Sequence, residues 1–155
     1  PDQKDEVQKI IQHAKEKNTQ IVLIKDGIVA TDQNATSGTE HTIDTIPTDQ
    51  AIFDIGPETQ AIWGHIIDEA NTIVWNGPVG YMENPEFARG TDFLYYAITQ
   101  NDHAFSVVGG GDTLAAITKK EYIDKITHIS TGGGAMLEFI EKGTLPGIEA
   151  LRQKL

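Results

Sequence analysis

Two runs of three glycines, Gly109-Gly110-Gly111 and Gly132-Gly133-Gly134, constrain this chain more than any other feature. Each stands between an apolar stretch and a helical pattern: Phe105-Ser106-Val107-Val108 runs into the first, residues 126–130 into the second. A third glycine turn, Asn76-Gly77-Pro78, closes the apolar run Thr72-Ile73-Val74-Trp75. Short buried strands that alternate with helices form βαβ units, and these assemble into a parallel sheet covered on both faces. The expected architecture is a three-layer, Rossmann-like α/β domain with a mostly parallel sheet. Open sheets of this kind bind ligands outside the carboxyl ends of their strands, which is where all three turns fall.

The rest of the chain follows the same alternation. Val7, Ile10, Ile11 and Ala14 repeat at helical spacing, with Asn18 as the stop. Ile21-Val22-Leu23-Ile24 reads as a short buried strand, residues 32–40 as a polar loop, and residues 41–46 as a weak alternation. Ala51-Ile52-Phe53-Asp54-Ile55 is another strand candidate. Gly56-Pro57 opens a helix whose apolar face carries Ile62, Ile66, Ile67 and Ala70, with Asp54 as its expected cap. Further helices are predicted over residues 86–100, with Gly90 as a weak point and the Tyr95-Tyr96 pair as packing, and over 112–119 and 135–141. No repeat or linker divides the 155 residues, a length that suits one domain.

Composition narrows the function classes. Hydrophobic residues make up 39% of the chain, enough for one core. Twelve basic residues stand against 23 acidic ones, a net charge of −11. The arginines are Arg89 and Arg152, and the longest lysine run is Lys119-Lys120. Nucleic acid needs a basic stripe that is not here, and an anionic membrane surface would repel this balance. Without cysteine there is neither a disulfide framework nor a thiolate zinc site. The five histidines show no metal-ligand spacing. Lacking a span-length apolar run or a signal peptide, the chain is expected to be soluble and cytoplasmic. It opens Pro1-Asp2-Gln3-Lys4 without methionine, which suits either a processed terminus or a piece of a longer protein.

Glycine lets backbone approach a ligand closely, and a helix start presents free N–H groups with partial positive charge. Phosphate is the natural guest of such turns. Glycine also serves merely to turn the chain, but two triple runs in one topological slot favour the phosphate reading. Asp112 would repel bare phosphate and makes sense with a magnesium ion between them. Neither a P-loop Gly-Lys-Ser/Thr nor a GxGxxG fingerprint is present. Glu83, beyond the Asn-Gly-Pro turn, suits ribose hydroxyls or simply a solvated surface.

Taken together, Val74-Trp75-Asn76-Gly77-Pro78-Val79-Gly80, Val107-Val108-Gly109-Gly110-Gly111-Asp112-Thr113 and His128-Ile129-Ser130-Thr131-Gly132-Gly133-Gly134-Ala135 resemble the signature segments of phosphoglycerate kinases. Asp54-Ile55-Gly56-Pro57, Phe87-Ala88-Arg89-Gly90-Thr91 and Leu145-Pro146-Gly147 match in order and spacing. The resemblance implies that residues 1–155 form most of the second, C-terminal nucleotide-binding lobe, truncated at its N-terminal side. It implies phosphoryl transfer between 1,3-bisphosphoglycerate and ADP, with magnesium, in glycolysis. By position, Asp112 would hold the metal, and Gly109, Gly110, Gly111 and Thr113 would meet the nucleotide phosphates. Asn76 would lie near those phosphates, Glu83 would bind ribose, and Leu23, Gly80 and Tyr81 would border the adenine. Gly132, Gly133 and Gly134 would offer N–H groups to the moving phosphoryl group. Ile24-Lys25 and Tyr81-Met82 depart from the family pattern. The family's first lobe, and its Gly-Ala-Lys segment with phosphate-binding lysines, have no counterpart in the chain. The isolated chain is therefore expected to be inactive; the other classes it suits are a non-catalytic nucleotide-binding module and a structural remnant.

Overall fold

Parallel pairing at the expected place organises the C-terminal half. The computed structural model describes residues 3–117 and 121–152. β4 (Thr72–Asn76), β5 (Phe105–Gly109) and β6 (His128–Ser130) form a parallel sheet in that spatial order. Parallel strands need crossovers, and helices supply them. α3 (Arg89–Gln100) joins β4 to β5, and α4 (Gly111–Ile117) follows β5. Trp75, Leu94, Tyr95, Ile98, Val108, Ile117 and Ile126 make the core between sheet and helices. The tail of the expected 112–119 helix, like the Lys119-Lys120 pair, lies outside the described residues. α5 (Gly133–Lys142) is the expected last helix, and α6 (Pro146–Arg152) extends beyond it.

The N-terminal half differs from expectation. β1 (Asp26–Ala30), β2 (Thr39–Thr42) and β3 (Ala51–Ile55) form a separate antiparallel sheet in the order β2-β1-β3. Of these, the sequence pattern picked out β3 alone. By contrast, Ile21-Val22-Leu23-Ile24, expected as a buried strand, joins no sheet, and Leu23 is 73% exposed. A strand is defined by its neighbour, and an apolar run supplies none. Val22 instead lines a groove of about 260 Å³ with Trp63, Ile73 and Val74. Among the described residues β4 pairs in the sheet with β5 alone.

The first helix, α1 (Lys4–Glu16), forms as predicted but buries nothing. Val7, Ile10 and Ile11 stay 51%, 54% and 43% exposed. Asn18 is indeed the stop: it adopts φ of 53°, and Thr19 N–H reaches back to the Ala14 carbonyl at 2.8 Å.

Two buried aspartates fasten the halves together. α2 (Pro57–Glu69) begins at Pro57, yet Asp54 does not cap it. Asp26 does: its Oδ2 accepts from Glu58 N–H at 2.8 Å, and its Oδ1 accepts from Thr59 N–H at 2.8 Å and Thr59 Oγ1 at 2.6 Å. Asp54 caps α3 instead, accepting from Gly90 N–H at 2.8 Å. Gly90 is therefore a requirement rather than a weak point, because a Cβ there would lie 2.2 Å from Asp54 Oδ1. Of the Tyr95-Tyr96 pair expected to pack, Tyr95 is wholly buried and its hydroxyl donates to the Glu121 carbonyl, whereas Tyr96 meets it edge-on and stays 44% exposed.

Burial works against the charge of both carboxylates. At Asp54 it prevails and the pKa is raised. At Asp26 the hydrogen bonds from Thr59 and Glu58 outweigh it, and the pKa falls below the usual carboxylate range. A depressed native pKa means stability that is present above the unfolded pKa and lost as pH falls through the native one. Asp26→Asn should accordingly cost about 2 kcal/mol at neutral pH, and the gap to the wild type should narrow below about pH 4. Urea unfolding of both proteins at pH 7 and pH 3 checks this; an equal gap at both values would remove the charge from the explanation.

Candidate functional site

Register brings the three glycine turns side by side. Asn76 pairs across the ladder with Gly109, and Gly109 pairs with Ser130, so all three strands end at one edge. The turns then pack without space between them. Gly110 adopts φ of 97°, and a Cβ on it would lie 2.6 Å from Asn76 Oδ1. A Cβ on Gly133 would lie 2.6 Å from Gly110 N and 2.7 Å from the same Asn76 oxygen. The Asn76 side chain thus sits between the two triple-glycine turns. Thr113, fully buried, accepts a hydrogen bond from Gly77 N–H at 2.9 Å and ties the first turn to the second.

Both α4 and α5 start from this cluster, at Gly111 and Gly133. The first N–H groups of a helix have no intrahelical partner and carry the positive end of its dipole. Gly111 and Gly134 face open space, since a Cβ on either would meet nothing within 4 Å. Gly132 is also exposed, whereas Gly109 is buried against Met136. Asp112 is exposed in the first turn of α4. Among the described residues no three acids or histidines group as a metal cage. One exposed carboxylate beside open glycine backbone fits a magnesium ion that arrives with phosphates and keeps its other ligands from them and from water.

Gly80 and Tyr81 line a cavity of about 450 Å³ together with Ile24, Ile52, Phe53 and Val79. Leu23 is not on it; its side chain faces solvent, and its neighbour Ile24 takes the place. Phe53 stacks on Phe87 at 5.0 Å and meets Tyr81 edge-on at 6.2 Å. Nothing in the sequence marks Ile52 and Phe53 as site residues. The hydrogen bond from Tyr81 N–H to the Phe53 carbonyl, 2.8 Å long, is what brings them there. Glu83 is exposed on a second cleft of about 530 Å³ that shares Tyr81 and includes Gln33, Asn34 and Asn84. A larger cleft, about 1080 Å³, runs along α1 and touches none of these residues.

Parallel strands that end in glycine turns, each triple-glycine turn opening a helix, place the chain in the α/β class with its candidate site at the carboxyl edge of the sheet. The family model described as phosphoglycerate kinase matches residues 1–143, and the chain belongs to that family. It is 45% identical to a phosphoglycerate kinase of Legionella pneumophila (strain Corby), covering 99% of this chain and 39% of the relative. It is 44% identical to that of Koribacter versatilis, over 99% of this chain and 38% of the relative. The structure of phosphoglycerate kinase from Coxiella burnetii superposes with a TM-score of 0.89 at 41% identity, over 99% of this chain and 39% of that one. The enzyme from Pyrococcus horikoshii gives 0.76 at 36% identity, over 97% and 38% of the respective chains. The chain spans about two-fifths of the length of these relatives.

The packing of the turns separates glycines that ought to matter differently. Gly133→Ala should drive a methyl group into Gly110 and Asn76 and lower stability by more than about 1 kcal/mol. Gly134→Ala has open space and should stay within about 0.5 kcal/mol of wild type. Thermal unfolding of the two variants under one buffer checks the contrast, and equal losses would contradict the turn-on-turn contact.

Proposed function

We propose that residues 1–155 are the nucleotide-holding part, most of the C-terminal lobe, of a phosphoglycerate kinase. The parent reaction is transfer of a phosphoryl group between the acyl phosphate of 1,3-bisphosphoglycerate and MgADP, a glycolytic step carried out in the cytoplasm. The observation that carries the reading is the side-by-side packing of three glycine turns where two helices begin. An oxygen of the ADP β-phosphate attacks the acyl phosphorus; the bond to the carboxyl oxygen breaks, leaving 3-phosphoglycerate and ATP. Such transfer rests on positioning and charge neutralisation rather than on covalent help from the protein.

Each group has a part in that scheme. Gly80 and Tyr81, with Phe53 and Ile52 beside them, hold the adenine, and Glu83 accepts from the ribose hydroxyls. The N–H groups around Gly110, Gly111 and Thr113 face the nucleotide phosphates, with Asn76 setting the distance between turns. Asp112 holds magnesium, which supplies positive charge against the phosphate oxygens. Gly132, Gly133 and Gly134 present the start of α5 to the phosphoryl group as charge builds on it. The phosphoglycerate side and the remaining cationic groups come from the part of the parent outside this chain.

Binding and turnover separate the readings. Calorimetry should show MgADP binding that Asp112→Asn weakens by about tenfold or more, the scale of one charged contact, with adenosine binding unchanged. Turnover by the isolated chain should be undetectable in a coupled assay, because each missing transition-state contact costs about a hundredfold. An intact fold that binds no nucleotide would favour a structural remnant instead. Equal MgADP affinity in both proteins would overturn the metal assignment.

A further inference from the structure

Residues 77–81, the stretch that carries Gly80 and Tyr81, spend each of their backbone donors inside the protein. Gly77 N–H goes to Thr113 Oγ1 at 2.9 Å, and Pro78 has none. Val79 and Gly80 N–H both point at Thr91 Oγ1, at 3.2 and 3.5 Å. Tyr81 N–H goes to the Phe53 carbonyl at 2.8 Å. The acceptors come from three different elements, α4, α3 and β3. Trp75 Nε1–H adds a bond to the Gly77 carbonyl at 2.8 Å.

Thr91 is the central one of these anchors. It is 1% exposed in the first turn of α3, and that turn is itself fixed to β3 by the Asp54–Gly90 hydrogen bond. The loop is pressed onto the same carboxylate, for a Cβ on Gly80 would lie 2.6 Å from Asp54 Oδ1 and 2.0 Å from the Phe87 carbonyl. A side-chain hydroxyl that bridges two consecutive N–H groups in a buried site sets where that backbone lies. Lost, it would leave both donors unsatisfied. Residues 77–81 leave no backbone donor for a phosphate, so what this stretch can read is the shape of an apolar, planar group.

From this geometry we infer that Thr91 is a positioning residue. Its hydroxyl holds Val79 and Gly80 as a preformed wall and thereby sets the shape of the cavity that these residues line together with Tyr81 and Phe53, the place for a purine ring. The inference rests on the nucleotide reading above and adds a residue that touches no ligand. It separates the two ends of the site: the wall governs the base, and the glycine turns govern the phosphates.

Thr91→Val removes the hydroxyl at nearly constant shape, Thr91→Ala removes it without a new methyl should valine not fold, and Thr91→Ser restores it. Amide hydrogen exchange at Val79 and Gly80 should speed up at least tenfold in the valine or alanine protein, with Val108 in β5 unchanged and serine close to wild type. Affinity for adenosine should fall about tenfold, the worth of a buried hydrogen bond, while affinity for magnesium pyrophosphate changes less than twofold. Unchanged exchange at Val79 and Gly80 would overturn the anchor, and equal losses for adenosine and pyrophosphate would overturn the division of the site. A wild-type chain that binds neither probe would overturn the nucleotide reading and the purine role with it. The exchange arm would then decide separately whether Thr91 holds the loop.

Discussion

The contact between Gly133 and Gly110, with the Asn76 oxygen wedged against both, is the constraint on which the rest of this site depends. Three parallel strands end in register, so their connecting turns must share one small volume. A Cβ on Gly133 would lie 2.6 Å from Gly110 N, so there is no room for a side chain, and two helix starts open next to each other. The concentration of unpaired N–H groups at that edge follows from packing rather than from a special backbone conformation at each position. Gly110 and Gly77, with φ of 97° and 106°, add a backbone conformation that favours glycine. The outer members of each run, Gly111 and Gly134, meet no such obstacle, and their smoothness serves whatever approaches from outside.

Two carboxylates do for the sheets what the glycines do for the turns. Asp26 lies on β1 and holds the start of α2; Asp54 lies on β3 and holds the start of α3. Each is buried, and each is aimed at the positive end of a helix dipole, where negative charge is favoured. Their opposite pKa shifts reflect what stands against burial at each. At Asp26 the hydrogen bonds from Thr59 and Glu58 outweigh it, while at Asp54 burial, joined by the charge of Asp92, outweighs the backbone donors of Gly90, Ile55 and Arg89. The antiparallel sheet, which takes no part in the glycine turns, is linked through these caps to the helices that surround the site.

Legibility in the sequence followed the range of the interaction. The glycine turns, β3, β4, β5 and α2 were readable because an apolar run bounded by Gly, Pro or Asn is a local signal. The hairpin of β1 and β2 was not, since Thr39-Glu40-His41-Thr42 pairs through backbone alone and only His41 is half-buried. Ile21-Val22-Leu23-Ile24 failed in the opposite direction: its composition says strand, but composition cannot provide a ladder partner. Asp54 was readable as a cap and misassigned by one helix, because the adjacent Gly-Pro suggested a partner nearby whereas Gly90 lies 36 residues on. Ile52 and Phe53 escaped for the same reason, being brought to Tyr81 by one hydrogen bond between residues far apart in sequence.

The open edge of β4 makes the solution behaviour of this chain a matter of ionic strength. Its backbone groups on that side lack a ladder neighbour among the described residues, and Val74 beside them is 47% exposed. Such an edge is a template for another strand, and sheet proteins usually guard it with lysine, proline or a bulge. Thr72-Ile73-Val74-Trp75-Asn76 contains neither lysine nor proline, and its ladder with β5 runs without a bulge. What stands in their place is the net charge of −11, a repulsion between copies that acts over the Debye length, about 30 Å in 0.01 M salt and 10 Å in 0.1 M. Added salt shortens that reach to about the spacing of two packed sheets and leaves the edge guarded by little but its own shape.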